Sequence, residues 1–118
     1  MQYATPGEFR ERLRFEQRGA QSASGDGLGP WQLVFTSRAR VIYLHGSESV
    51  MGERLQGNLP AILSLPWCAS AASIDNSFRA VDANDTTAIY NVTSVELDPL
   101  RRQVDVLVNR RVRQPNDG

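Results

Sequence analysis

Apolar and polar side chains alternate one for one along "RLRFEQ". Leu13 and Phe15 share one face, and Arg12, Arg14 and Glu16 the other. A period of two marks a strand with one buried face. "GAQSASGDGLGP", rich in glycine, then reads as an open hairpin end. The alternation resumes in "WQLVFTSRARVIYL", where Ala39, Val41 and Tyr43 face one way and Arg38, Arg40, Ile42 and Leu44 the other. In "LPAILSLPWCA", Leu59, Ala61, Leu63, Leu65 and Trp67 share a side. Pro60 and Pro66 on the opposite side mark that run as an edge or bulged strand. "SFRAVDA" turns at "ANDT" into "TAIYNVTSVEL", which turns again at "DPLR". Asp98 ahead of Pro99 fits a type I turn. Tyr90 and Val92 share one parity, Val95 and Leu97 the other, which places a bulge near Thr93 or Ser94. The last strand, "RQVDVLVNRRV", lines Val104, Val106, Val108 and Val112 on one face.

This pattern predicts an all-β chain, a small antiparallel β-barrel of about five to seven strands, since closure removes exposed edges. A chain of 118 residues is read as a single domain, 1–118, ending in a flexible tail at 113–118. Between two strands lies a long polar loop, about residues 46–57, with Gly46, Gly52 and Gly57 along it. Val50, Met51 and Leu55 form a small apolar stripe there, compatible with a helical turn from Ser49 to Gln56.

Composition narrows the chemistry. With one cysteine, Cys68, and one histidine, His45, neither an internal disulfide nor a metal cluster is expected. Cys68 reads as a small buried hydrophobe and lacks the paired base of a nucleophile. Asp82 and Asp85 flank a turn, which Asx chemistry explains. No nucleophile elbow, P-loop or dinucleotide fingerprint is present, so the chain is read as non-enzymatic and without a cofactor. No apolar run approaches the ~18 residues of a membrane helix, and the N-terminus has no signal-peptide core. The expected setting is a cytosol, with no membrane partner.

The net charge is zero, yet all thirteen basic residues are arginine. Neutrality argues against wrapping nucleic acid by neutralising many phosphates. Arginine's planar fork suits carboxylate pairing between subunits. Arg12 and Arg14 lie on the first strand, and Arg101, Arg102, Arg110 and Arg111 near the last. If those two strands pair, the arginines form one basic patch, and with Trp31 they are the expected subunit or partner interface.

Three pieces occur in order: "GEFRERLRFEQR" with a glycine-rich gap and Trp31, then "TSRARVIYLHGSESVMGERLQG", then the hairpin "IYNVTSVELDPLRRQVDVLVNR". Together they resemble the phage head–tail joining proteins, also called head-closure or stopper proteins, and their counterparts in gene transfer agents. The resemblance implies a β-barrel subunit of a ring, dodecameric in that family, between the portal and its adaptor and the tail. The ring retains packaged double-stranded DNA and offers a docking surface to the tail terminator or tail tube. It implies a place in the neck of a virion or phage-like particle assembled in a bacterial cytoplasm. The matching channel or gating loop carries Ser47, Glu48, Ser49, Val50, Met51, Glu53 and Arg54. Extended out and back, a loop of that length reaches about 20 Å, comparable to the width of a duplex.

Two other readings remain. A small nucleic-acid-binding β-barrel would need aromatic residues interleaved with basic ones on one strand face. Here Phe15, Tyr43, Trp67 and Tyr90 share parity with aliphatic neighbours. A tail terminator ring protein of the same assembly would need a real helix, which the pattern does not offer.

Overall fold

A computed structural model of the chain describes residues 6–19, 29–44 and 57–111. The first alternating run is β1 (Glu11–Arg18), with Leu13 and Phe15 fully buried and Arg12 and Arg14 exposed. It is followed by β2 (Trp31–Tyr43), β3 (Asn58–Pro66), a four-residue helix α1 (Ala69–Ala72), β4 (Phe78–Asp82), β5 (Ile89–Leu97) and β6 (Gln103–Arg111). The strands close into an antiparallel barrel in the order β1-β2-β3-β6-β5-β4. The all-β barrel expected from the alternation is therefore the fold.

Closure runs through β1, whose Leu13–Gln17 stretch pairs with β2 on one side and β4 on the other. The inward faces of all six strands supply the core: Leu13, Phe15, Ala39, Leu63, Tyr90 and Val106 among others. Phe15 stacks on Phe35 across the β1–β2 ladder, ring centroids 4.9 Å apart. One end of the barrel holds Tyr43, Asn58, Asp82, Ile89 and Arg111; the other holds Arg18, Trp31, Pro66, Phe78, Leu97 and Gln103.

β3 is an interior strand, paired with β2 over Ala61–Ser64 and with β6 along its length without a register shift, not the edge or bulged strand its prolines predicted. Backbone geometry explains the difference. Leu44 N–H donates to Pro60 C=O at 2.9 Å, so Pro60 turns its bonding groups toward β2, and alternation turns those of Ile62, Ser64 and Pro66 the same way. Both missing amide hydrogens thus point at β2, at the two ends of a short ladder, where an absent donor is tolerated. Gly57 enters β3 at φ 84°, a conformation that favours glycine.

β3 and β4 lie three places apart in the six-strand ring, so the segment from Trp67 to Ser77 crosses the Trp31 end. It carries α1 and buries Ala71 and Ile74 against the core. Cys68 is exposed rather than buried, because its Sγ caps α1, accepting the Ala71 N–H at 3.3 Å. β1 and β6 lie on opposite sides of the barrel, so the pairing that would join the two arginine groups is not formed.

The turns follow the sequence reading. Asp82 and Asp85 each accept the amide of the second residue on, Asn84 at 2.8 Å and Thr87 at 3.1 Å. Asp98 C=O accepts the Arg101 N–H at 2.9 Å, and the fully buried Asp98 carboxylate takes the amides of Leu100 and Arg102 and the Arg102 guanidinium. Those bonds hold Arg101 at φ 55°, a left-handed conformation that costs about 1 kcal/mol outside glycine. The pairing of β5 with β6 shifts between Val92 and Ser94, leaving Thr93 as the bulge, where the parity change placed it. A second bulge puts Val34 between the Phe15–Phe35 and Glu16–Leu33 pairs. Among the described residues no helix is long and apolar enough to cross a membrane.

Phe15 fills the centre of the closure. Phe15→Ala is expected to lower unfolding free energy by about 3–5 kcal/mol in urea titration, as for other buried phenylalanines.

Candidate functional site

On the outward face of β4–β1–β2, register decides which charges meet. Arg12 of β1 stands directly across from Arg38 of β2, and both are exposed. Like charges in a cross-strand pair repel by a few tenths of a kcal/mol to about 1 kcal/mol. Among the described residues neither has an acidic partner within salt-bridge distance. Further along the same face, Glu16 is buried beneath Arg79, bonded at 2.8 Å, with Arg14 3.7 Å away. Trp31 lies under the Arg79 guanidinium, 4.3 Å from its ring centroid, and 5.9 Å from Arg18. This wall is basic, with one aromatic ring at its lower edge.

The opposite wall carries the reverse charge. Glu96 of β5 faces Asp105 of β6 across the ladder, again a like-charge pair. Asp105 is nearly buried and accepts hydrogen bonds from Ser64 Oγ at 2.7 Å and Gln103 Nε2 at 2.8 Å. Neither acid has an ion-pair partner among the described residues. In the strand ring, β1 and β2 lie opposite β6 and β5. A barrel of zero formal charge therefore presents an arginine pair on one side and, on the other, an exposed Glu96 backed by the nearly buried Asp105.

A third cluster closes the Tyr43 end. Arg110 Nη1 donates to Tyr43 Oη at 3.0 Å, and Tyr43 Oη shares a hydrogen bond of 2.8 Å with Tyr90 Oη. These groups and Glu11, Asp82 and Asp85 line a polar recess of about 230 Å³. Burial, with the Tyr43 hydroxyl second, pushes the Tyr90 phenol above its ordinary range. The Arg110 guanidinium is raised in turn by its bond to Tyr43. Asp85 is held below the usual carboxylate range by the Thr87 hydroxyl and amide. Among the described residues no group of His, Cys, Asp and Glu could hold a metal ion.

The structure distributes the expected interface residues. Arg12, Arg14 and Trp31 share the basic wall. Arg101 and Arg102 occupy the β5–β6 turn, where Arg102 anchors Asp98 and Arg101 lies 5.8 Å from the Trp67 ring. Arg110 points into the tyrosine cluster, and Arg111 ends β6 exposed. The loop residues Ser47, Glu48, Ser49, Val50, Met51, Glu53 and Arg54, with His45, lie outside the described residues. Arg38, Glu96 and Asp105 were missed because only the strand register brings each to its like-charged neighbour.

No family model matches the chain, and no curated protein matches it. Among solved structures, protein SF1141 from Shigella flexneri 2a, determined in solution, is similar at TM-score 0.60 and 15% identity, over 98% of this chain and 100% of that one. At that identity the likeness bears on the fold alone.

A phenol whose folded pKa is raised stabilises the fold fully below its unfolded value, and the contribution is lost as pH rises above it. Unfolding free energy is therefore expected to hold up to about pH 10 and to fall above it as tyrosine ionises in the unfolded chain. Tyr90→Phe is expected to flatten that alkaline limb in a pH series of urea titrations.

Proposed function

We propose that this chain is a structural subunit that assembles head to tail into a ring, acting as a head–tail connector that retains packaged DNA and receives the tail. The observation that carries the reading is the pair of opposed walls, Arg12 with Arg38 on one and Glu96 with Asp105 on the other. Each pair is mildly unfavourable in the isolated chain and becomes favourable when the unlike wall of another copy neutralises it. Contacts between two different faces of one subunit are heterologous, and heterologous contacts generate rings when the rotation closes. The order of sequence segments shared with the head–tail joining proteins supplies the setting, and the closed barrel fits it.

A second reading, a small nucleic-acid-binding barrel, draws on the Trp31 ring between Arg18 and Arg79 on the arginine-bearing face. That is the aromatic-and-basic combination which stacks bases and follows a phosphate backbone. It predicts salt-dependent shifting of single-stranded DNA in a gel, abolished by Trp31→Ala. No shift at low salt excludes it.

The ring reading is tested on DNA-filled heads that lack the protein. Added wild-type protein is expected to protect the packaged DNA from nuclease and to permit tail attachment. Arg12→Glu converts the Arg12–Arg38 repulsion into an attraction, so it is expected to raise unfolding free energy by about 0.2–1 kcal/mol while losing protection. Heads that neither bind nor need the wild-type protein would overturn the reading.

A further inference from the structure

We infer that the first half of β2 is a docking edge for an extended, acidic strand of a partner protein, which adds antiparallel to the barrel beside Thr36 and Arg38. The inference goes beyond the ring reading and does not depend on it. β2 pairs with β3 at residues 40–43, so among the described residues its stretch from Trp31 to Ala39 is held by β1 alone. Unpaired strand edges are ready templates for another strand, and β-augmentation uses them.

Two hydrogen bonds fix which groups face that edge. Leu44 N–H donates to Pro60 C=O, which turns the backbone groups of Leu44, Ile42 and Arg40 toward β3, and by alternation those of Arg38 and Thr36 the same way. Arg12 C=O accepts the Ala83 N–H on the β4 side, so β1 turns Leu13 toward β2, where it bonds Ser37. Both bonds place the peptide groups of Thr36 and Arg38 away from β1. Among the described residues no group pairs with their amides, and the Arg38 C=O accepts from Ser37 Oγ at 3.0 Å. β3 stops short of this edge. Continuing its register with β2 would set Pro66, which has no amide hydrogen to give, against Arg38. Pro66 is exposed, so the gap beside it opens to solvent.

The edge also sets the chemistry of the strand it takes. An antiparallel strand bonded to Arg38 places one side chain directly beside it on the outer face, about 5.5 Å away between Cα atoms. Arg38 already faces Arg12, and neither has an acidic partner among the described residues. A carboxylate at that position adds an attraction where the barrel alone has only a repulsion. On the inner face the added strand meets Phe35 and Ser37, which are half-buried although they point toward the core, so apolar β-branched residues fit there. Toward the Trp31 end the outer face carries Leu33 at 50% and Val34 at 48% exposure, where an apolar residue fits again. Because Arg40 is already bonded to β3, the strand begins with its acid opposite Arg38 and runs toward the Trp31 end.

The test is amide hydrogen exchange followed by NMR on the full chain, with the peptide acetyl-Glu-Val-Thr-Val-Leu-amide as probe. In dilute protein alone, the Thr36 and Arg38 amides are expected to exchange far faster than that of Ser37. Peptide near its solubility limit is expected to slow both severalfold and to leave the β4–β5 turn unchanged. The same peptide N-methylated at Glu and Thr, the residues whose amides face β2, is expected to give no protection. Arg38→Glu sets a carboxylate across from Arg12, so the fold is retained; this variant is expected to lose protection by the peptide and to regain it when Lys replaces the peptide's Glu. Slow exchange of Thr36 and Arg38 in dilute protein alone shows an edge already filled and overturns the inference. Protection that appears without peptide as protein concentration rises assigns the edge to a second copy and also overturns it. Equal protection by the N-methylated peptide, or none by either charged form on its matching protein, overturns strand addition.

Discussion

Pro66 sets the limit of the β2–β3 ladder, and much of the architecture follows from where that ladder stops. Beyond Arg40, β2 has no partner on the β3 side, so its remaining length is held through β1. β1 must then bind β2 and β4 with the same residues, Leu13–Gln17, for the barrel to close. This is why the largest fully buried side chains include Leu13 and Phe15, and why Phe35 stacks on Phe15 from the half-open strand. Apolar packing between β1 and β2 compensates for the backbone pairing that a proline denies to β2 and β3.

The two ends of the barrel are closed by different means. The segment carrying α1 crosses the Trp31 end and fills it with Ala71 and Ile74, so apolar burial dominates there. At the Tyr43 end, Tyr43, Tyr90 and Arg110 form a hydrogen-bonded chain over the core. Arg110 shares the inward parity of Val104, Val106 and Val108, a position that would normally take an aliphatic residue. Its charge is accommodated because at the barrel mouth it bonds the Tyr43 phenol oxygen and shares a polar recess with Asp82 and Asp85. The large exposed hydrophobics Leu33, Val34, Leu97 and Leu100 lie toward the other end, away from this polar rim.

Alternation along each strand was legible because it is local. Leu13 and Phe15, Ala39 and Val41, and the valines of β6 needed only a period of two, and the Thr93 bulge showed as a parity change within one strand. The Asp82, Asp85 and Asp98 turns were legible for the same reason, since their bonds reach only two to four residues along the chain. What depends on which strand lies beside which was not. Pro60 and Pro66 pointed to an edge strand because the sequence does not say on which side, or at which end of a ladder, a missing donor falls. Cys68 looked like a core residue because a four-residue helix is too short to leave a period, and cysteine is an uncommon cap. The arginine patch depended on β1 meeting β6, whereas strand order places them opposite. The gating loop lies outside the described residues, so the geometry bears on the walls and edges alone.

The like-charge pairs bias which walls of two copies can meet. In water, the repulsion between Arg12 and Arg38 is weakened by solvent and by salt, whose screening length is about 8 Å at physiological strength. Within a contact that excludes water the same charges interact more strongly. Two arginine walls brought together would confront like charges, and so would two walls carrying Glu96. Both self-matched contacts are disfavoured by residues that cost the isolated barrel little. On the ring reading proposed above, the arginine wall of one copy against the Glu96 wall of the next would bring unlike charges together. Self-matched faces would end in a two-fold dimer; unlike faces on opposite sides of one barrel propagate from copy to copy. On that ring reading, the charge arrangement favours propagation over pairing.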